Sequence, residues 1–390
     1  MKRIANIYIG LWSLYYLQGT LYETGSIYSK VILVVILALT VYYFIQALRK
    51  LRFPPVLKIL TLLIGIWTIY GVINIVVGNG TAFISSFVYL KNILLSVMPI
   101  YVIYYFAMNN AISEKALGIW LIVFIPISIF MYNVQNARLI ESALSMGMHI
   151  EEDTNNIGYV FLALLPLIPV YNKKPIIQYS IMAVSMLFVL MSMKRGAILI
   201  GAISVVWFIF VSMKSNQKQK KRGWRIVLTI SLVLASIYAV QYFVTNSDYF
   251  NKRIEQTLNG DSSGRDVLMQ KNMKYLTEEA TFVDLMVGKG GDGTLRVFGQ
   301  YSHDDWLEIA VDNGLVVVLL YFIFHLRMFF AFRKSRGNTI KYQMVGLFFI
   351  ICFLKSIISM SYNDIFITSS MAIGYALAQP NMQESELKTV

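Results

Sequence analysis

Apolar runs recur along almost the whole chain, and each is long enough to cross a membrane. They extend over about 17–25 residues, the length that a bilayer-spanning α-helix needs. A transmembrane β-barrel would instead alternate apolar and polar residues. The pattern predicts about twelve helical spans, at residues 4–22, 27–47, 57–78, 83–108, 116–135, 156–171, 176–193, 196–213, 226–243, 305–330, 342–361 and 364–378.

The links between these spans differ in charge. "RKLRFPPVLK", "NKKP", "KSNQKQKKRGWR" and "RKSRGNTIK" are rich in Lys and Arg and fall on one side of the alternation. Residues 214–225 alone hold six basic residues and no acidic one. Because basic links remain in the cytoplasm, this side is predicted to be cytoplasmic, with both termini on it. "MKR" followed by an apolar run is interpreted as the start of a retained first span.

Two polar segments fall on the opposite side. Residues 136–155 form a short loop that contains "EEDTNN", and residues 244–304 form a large loop with an amphipathic helix pattern after "NGDSSGRD". No internal repeat divides the chain, so residues 1–390 are predicted to form a single membrane domain. We expect any chemistry in the large loop and at the helix ends that face it.

Composition agrees with an all-α polytopic membrane protein. Of the residues, 57% are hydrophobic and 14% charged, whereas a soluble domain has roughly 25% charged residues. Basic cytoplasmic links account for the net charge of +13, so no nucleic-acid partner is expected. The single cysteine, Cys352, excludes an intrachain disulfide and a cysteine-based zinc site. No metal-binding or paired-carboxylate motif occurs in the outer loops, and neither a metal nor a cofactor is predicted.

The tenth predicted span begins with ionisable residues, in "YSHDDWLEIAVDNG". Ser302 and Asp305 form a capping pattern, which places His303, Asp304 and Asp305 in the first helical turn at the water boundary. In one interpretation the two aspartates complement the helix macrodipole. In the other, the positive helix end keeps His303 neutral and able to act as a general base.

Basic residues also occur on the predicted outer side. In "MKRGA", Lys194 and Arg195 lie between two apolar runs, where they either snorkel to lipid headgroups or belong to a functional site. In the large loop, Arg265 falls in the first turn of a helix that Ser263 and Asp266 are predicted to cap. A helix start with an adjacent arginine could bind a phosphate, and a solvated arginine is the alternative.

Two further polar stretches carry weaker signals. "GKGGDG", residues 288–293, lacks the Walker pattern and is interpreted as a turn-rich loop rather than a phosphate-binding nest. "SYNDIF" places Asp364 on the same side as His303, and a tight polar turn is the preferred interpretation. Arg296, Tyr301 and Asp364 are predicted to be accessory to the site.

An arginine at the outer end of one span, an arginine in a large outer loop and a histidine heading the next span form an ordered set. This set resembles the O-antigen ligase and polymerase family of bacterial envelope glycan assembly. Arg195 in "KRGA" and Arg265 in "SSGRD" match the two arginines of the family. The family's histidine pattern corresponds here to His303, Asp304, Leu307 and Gly314. Asp304 departs from the more usual Asn or Ser.

The resemblance implies a membrane glycosyltransferase of the GT-C type in the bacterial cytoplasmic membrane, with its active site facing the outside. Such enzymes transfer a glycan from undecaprenyl diphosphate to a sugar hydroxyl of an acceptor, without a cofactor. Lys194, Arg195 and Arg265 would bind the diphosphate. His303, Asp304 and Asp305 would form the catalytic group.

The expected partners are the lipid-linked donor and acceptor, membrane lipids, a chain-length regulator and a flippase. A polymerase that joins repeat units into O-antigen or capsular polysaccharide is the favoured activity. A ligase that transfers the finished glycan to lipid A core or another acceptor is the alternative. A transporter or flippase for lipid-linked polysaccharide remains the third interpretation.

Overall fold

The computed structural model contains helices and no β-strand among the residues that it describes, which are 1–19, 21–23, 25–77, 81–145, 156–214, 220–259, 264–362 and 365–379. Within these ranges, eight helices are long and apolar enough to cross a membrane. This confirms the predicted class of all-α polytopic membrane protein. The predicted count of about twelve spans is not confirmed.

The helices follow the apolar runs closely. In the first half they are α1 (Lys2–Tyr16), α2 (Ile27–Lys50), α3 (Pro55–Val77), α4 (Thr81–Met108), α5 (Glu114–Ser145), α6 (Gly158–Leu162), a 3-10 segment (Leu165–Tyr171) and α7 (Pro175–Met191). In the second half they are α8 (Arg195–Lys214), α9 (Lys220–Asn246), α10 (Asp248–Leu258), α11 (Arg265–Lys274), α12 (Phe282–Val287), α13 (Gly293–Phe298), α14 (Asp305–Lys334), α15 (Thr339–Ile358) and α16 (Ile367–Ala378).

Two of the predicted spans are short and lie inside the protein. The run 156–171 forms the five-residue α6 followed by the 3-10 segment, which contains two prolines. α16 has twelve residues, about 18 Å of helix, whereas the hydrocarbon core is about 30 Å thick. Every residue from Ile367 to Ala376 in α16 is buried. These runs are apolar because protein surrounds them.

The boundaries of the two predicted loops also differ from expectation. Residues 136–145 continue α5, and residues 146–155 lie outside the described ranges. The large loop is itself helical, because α10, α11, α12 and α13 all fall within it. Arg265 is the first residue of α11, as the pattern predicted, whereas its predicted cap Ser263 lies outside the described residues.

α8 and α15 run antiparallel and define two ends of the helical body. Near one end, Gly196 of α8 lies against Ile358 of α15. Near the other, Gln343 Nε2 donates a hydrogen bond to Ser212 Oγ at 2.9 Å. We call the end where α8 begins and α15 ends the loop face, because α11 contacts it. The opposite end, where α8 ends and α15 begins, is the basic face.

α14 is broken at Gly314, whose φ of 80° and ψ of 170° are not helical. The Tyr321 hydroxyl donates a hydrogen bond to Asp305 Oδ2 at 2.6 Å, across sixteen residues of chain. A straight helix would separate the two residues by about 24 Å. The Trp306 ring also lies 5.6 Å from the His325 ring. Residues 305–313 therefore form an arm that folds back on residues 315–334, and the predicted continuous span 305–330 is wrong.

The loop "GKGGDG" ends this arm. The N–H groups of Lys289 and Gly290 donate hydrogen bonds to the carbonyl oxygens of Val311 and Asp312 at 2.8 and 2.7 Å. The Thr294 N–H donates to Asp312 Oδ1 at 2.8 Å. The carbonyls at a helix end lack partners within the helix, and the loop supplies them. These contacts agree with the turn-rich interpretation of residues 288–293.

Candidate functional site

Two helices begin with an arginine at the loop face. Arg195 is the first residue of α8, with Lys194 directly before it, and Arg265 is the first residue of α11. A helix N-terminus carries partial positive charge, so cations there are electrostatically unfavourable. Gly264, the residue before α11, offers no side chain to cap it. We call Lys194, Arg195 and Arg265 the cationic cluster. A bound anion would neutralise its positive charge.

The last turn of α15 brings the two helix starts together. Arg265 Nη1 donates a hydrogen bond to the Ile358 carbonyl oxygen at 2.7 Å. On α8, a Cβ atom at Gly196 would lie 2.7 Å from Ile358 Cγ2 and 2.7 Å from the Tyr159 hydroxyl. Only glycine allows this approach without displacing its neighbours. Residues far apart in the chain therefore take their positions from one residue, Ile358.

His303 lies close to the cationic cluster. Its side chain contacts solvent, yet surrounding protein and the charges of Arg265 and Lys194 lower the pKa of the imidazole below its ordinary value. Its φ of 55° is left-handed, which is uncommon outside glycine and recurs at functional sites. A neutral imidazole beside two cations and water has the form that a general base requires.

The helix start around His303 differs from the predicted one. α14 begins at Asp305, and Asp304 is its N-cap: Asp304 Oδ1 accepts hydrogen bonds from the N–H groups of Trp306 and Leu307 at 2.9 and 3.0 Å. His303 therefore precedes the helix instead of lying in its first turn. The predicted Ser302 cap is wrong, because the Ser302 hydroxyl donates to Asn272 Oδ1. Burial raises the pKa of Asp304, and the two N–H donors oppose that rise.

Asp305 is fully buried and takes part in the fold of α14. Its Oδ2 accepts hydrogen bonds from the Tyr321 hydroxyl at 2.6 Å and the Tyr362 N–H at 3.3 Å. Its Oδ1 accepts a hydrogen bond from the Ser361 N–H at 2.8 Å. Both oxygens thus join the arm to the rest of α14 and to the link before α16. We interpret Asp305 as a structural residue rather than a catalytic one.

The accessory positions support the loop that ends the arm. Arg296 Nη2 donates a hydrogen bond to the Lys289 carbonyl oxygen at 2.6 Å. The Tyr301 hydroxyl donates to Asp292 Oδ1 at 3.3 Å. Burial and the nearby Asp292 carboxylate raise the pKa of Tyr301 to about 12. Asp364 lies outside the described residues.

The structure adds a residue that the sequence analysis missed. Lys355, one turn before Ile358, is buried, and its Nζ lies 4.8 Å from the centre of the Tyr159 ring. Lys355 and Tyr159 line a small cavity of about 30 Å³ together with Ser361. The signal was present in "IICFLKSII", because a lysine within an apolar span is costly and marks functional positions.

Comparisons with known proteins leave the family of the chain open. No protein-family model matches it, and no curated protein matches it significantly. Within the described ranges, no three His, Cys, Asp or Glu side chains come together in a way that could hold a metal ion. The geometry around the cationic cluster and His303 is therefore the observation that bears on function.

Proposed function

We propose that the protein is a membrane glycosyltransferase of the GT-C type, with an undecaprenyl-diphosphate-linked glycan as donor. The observation that carries the proposal is the proximity of Lys194, Arg265 and His303, which come from three separate parts of the chain. Cations with a neutral imidazole suit a reaction in which a diphosphate departs and a hydroxyl loses its proton.

In the proposed reaction, an acceptor hydroxyl attacks the anomeric carbon of the donor glycan. The bond between that carbon and the diphosphate oxygen breaks, and the electron pair leaves with the diphosphate. Arg195, Arg265 and Lys194 stabilise the negative charge that develops on this leaving group. His303 accepts the proton of the hydroxyl, which becomes the new glycosidic oxygen. Asp304 holds the helix start next to His303.

The proposed acceptor is another lipid-linked repeat unit, so the product is a longer O-antigen or capsular glycan. The orientation belongs to the same proposal: the basic face lies in the cytoplasm with both termini, and the loop face lies outside the cytoplasmic membrane. A chain-length regulator and a flippase are the proposed protein partners. The proposed topology has twelve membrane crossings, a number that includes the short buried helices.

The lipid-linked glycans that accumulate in a strain lacking the gene test the proposed activity. Single repeat units outside the membrane are the expected result. Long polymer that is not attached to an acceptor would instead identify a ligase. Repeat units trapped on the cytoplasmic leaflet would identify a flippase and overturn the proposal of glycosyl transfer.

The proposed base is tested with purified protein and defined lipid-linked repeat units. His303→Gln should bind the donor normally but lose about 10²–10⁴-fold in turnover, since glutamine can orient a hydroxyl but cannot take its proton. Donor binding and chain growth are measured separately. A His303→Gln variant that polymerises at the wild-type rate would show that the base lies elsewhere.

A further inference from the structure

A second concave site lies at the basic face, remote from the cationic cluster. It is an open groove of about 570 Å³ between the link that follows α2, the ends of α4, α14 and α16, and the start of α15. Its size is in the range of small-molecule sites, about 300–1,000 Å³. No role in the proposed glycosyl transfer falls to it.

Four cations from three elements line this groove: Arg52 of the link after α2, Arg327 and Lys334 of α14, and Lys341 of α15. Arg52 and Arg327 are exposed, and neither forms an ion pair within the described part of the chain. Lys341 Nζ donates a hydrogen bond to the carbonyl oxygen of Gln379, which fixes its amine at the end of α16. No acidic residue is among the described residues that line the groove.

The depth of Arg327 distinguishes the groove from an ordinary basic surface. Arg327 is seven residues before Lys334, the last residue of α14, which places it about 10 Å from the end of the helix. Cations at such a depth in an apolar span are costly and mark ligand paths. A phosphate between Arg327 and the outer cations would offset that cost.

The groove also has a fixed apolar wall. Phe53 packs against Tyr104 of α4, with ring centres 5.9 Å apart, and the Tyr104 hydroxyl donates a hydrogen bond to the Arg52 carbonyl oxygen at 3.3 Å. These contacts fix the link that carries Arg52. Phe330 of α14 lines the groove and is 53% exposed. Apolar surface beside clustered cations fits an acyl chain joined to a phosphate.

We propose that the groove binds an anionic phospholipid, with the headgroup phosphate held by Arg52, Arg327, Lys334 and Lys341. Basic pockets between helices on the cytoplasmic side of membrane proteins bind anionic headgroups in this way. The charge of the groove selects the headgroup, and the apolar wall selects a lipid over a free phosphate.

Native mass spectrometry of the delipidated full chain tests this site. Dioleoyl phosphatidylglycerol should remain bound under conditions that remove dioleoyl phosphatidylcholine. Arg52→Gln and Arg327→Gln should each lower the affinity for phosphatidylglycerol about fivefold, and the double variant about 20-fold or more. Arg333→Gln is the matched control, because Arg333 is an exposed arginine of α14 next to Lys334 but does not line the groove.

Four results would overturn the proposal. The first is equal retention of the two lipids, and the second is equal affinity in the wild type, the double variant and Arg333→Gln. The third is displacement of the lipid by millimolar inorganic diphosphate, which would identify a free anion as the ligand. The fourth is lipid binding only after removal of residues 380–390, which would identify the C-terminal tail as the occupant. If the double variant does not fold, Arg52→Gln decides alone, because Arg52 lies on a link between helices.

Discussion

Replacement of Gly314 by alanine tests whether α14 is broken or continuous, because the two cases predict opposite changes in the stability of the protein. In a continuous helix, Gly→Ala would stabilise the protein by about 1 kcal/mol, because alanine has the higher helix propensity. In the hairpin, alanine must adopt φ 80° and ψ 170°, a region that only glycine visits readily. This strain costs about 1–3 kcal/mol.

The surroundings of Gly314 add to that cost. A Cβ atom there would overlap the Met286 carbonyl group and lie 2.7 Å from the Val287 nitrogen. This distance is shorter than the optimal contact distance of roughly 3.5–4.0 Å. Overpacking of this kind costs about 1–3 kcal/mol. Because the strain and the overlap add, we expect Gly314→Ala to destabilise the protein by about 2–6 kcal/mol.

Thermal unfolding of the detergent-purified variants measures the effect, and limited proteolysis of residues 282–304 locates it. Gly314→Ala should lower the melting temperature by at least about 3 °C and expose this segment to protease. Gly299→Ala is a matched control, because Gly299 has φ 74° but open space around it; it should cost only about 1 kcal/mol. Gly223→Ala, in helix α9, should have no adverse effect. A Gly314→Ala protein that melts at or above the wild-type temperature would show that α14 is continuous.

Three further predictions concern the loop face. Arg265→Lys keeps the charge but loses the planar fork, so donor affinity should fall about tenfold in a binding assay with lipid diphosphate. Lys194→Gln removes a cation that lowers the pKa of His303. Turnover requires the neutral imidazole. In the wild type, the rise of turnover with pH should therefore lie below the ordinary histidine pKa of about 6.5. In Lys194→Gln, this rise should move to higher pH. Leu258→Cys, at a position 81% exposed, should react with an impermeant thiol reagent in intact cells when Cys352 is replaced by serine.

Matched variants make these outcomes decisive. Lys271→Gln, on the exposed surface of α11, should leave both donor affinity and the pH profile unchanged. An equal shift in Lys271→Gln and Lys194→Gln would mean that general surface charge causes the effect. A cysteine at Arg336, exposed on the basic face, should react only after lysis. If it reacts in intact cells and Leu258→Cys does not, the orientation is inverted.

The helix positions were predictable because hydropathy is a local property. The break in α14 was missed: Asp312 and Asn313 precede Gly314, and Asn-Gly marks turns, but the apolar residues around them favoured one span. A glycine is also compatible with a helix, and distant partners fix the conformation of Gly314. Those partners are the loop at residues 286–290 and the bond between Tyr321 and Asp305. Neither is visible from local pattern.

In the candidate site, too, local features were predictable from the sequence and tertiary contacts were not. Arg195 and Arg265 were predictable as cations at helix starts, because helix boundaries are local. The neutral form of His303 was predicted from a helix end, whereas burial and the charges of Arg265 and Lys194 cause it. Its position depends on tertiary contacts. Lys355 was noticeable as a lysine in an apolar run, but no neighbouring residue in the sequence indicated that it lies near the site.

Under the proposed function, the dependence of the cationic cluster on Ile358 makes the length of α15 a determinant of anion specificity. Each residue in a helix adds about 1.5 Å of rise and 100° of rotation. One residue inserted into α15 would turn Ile358 away from both Gly196 and the Arg265 guanidinium. Four inserted residues would restore most of its direction but displace it by about 6 Å. Under the proposed function, the register of α15 would therefore set the distance between the two arginines and the size of the anion that fits between them, although α15 need not touch the anion.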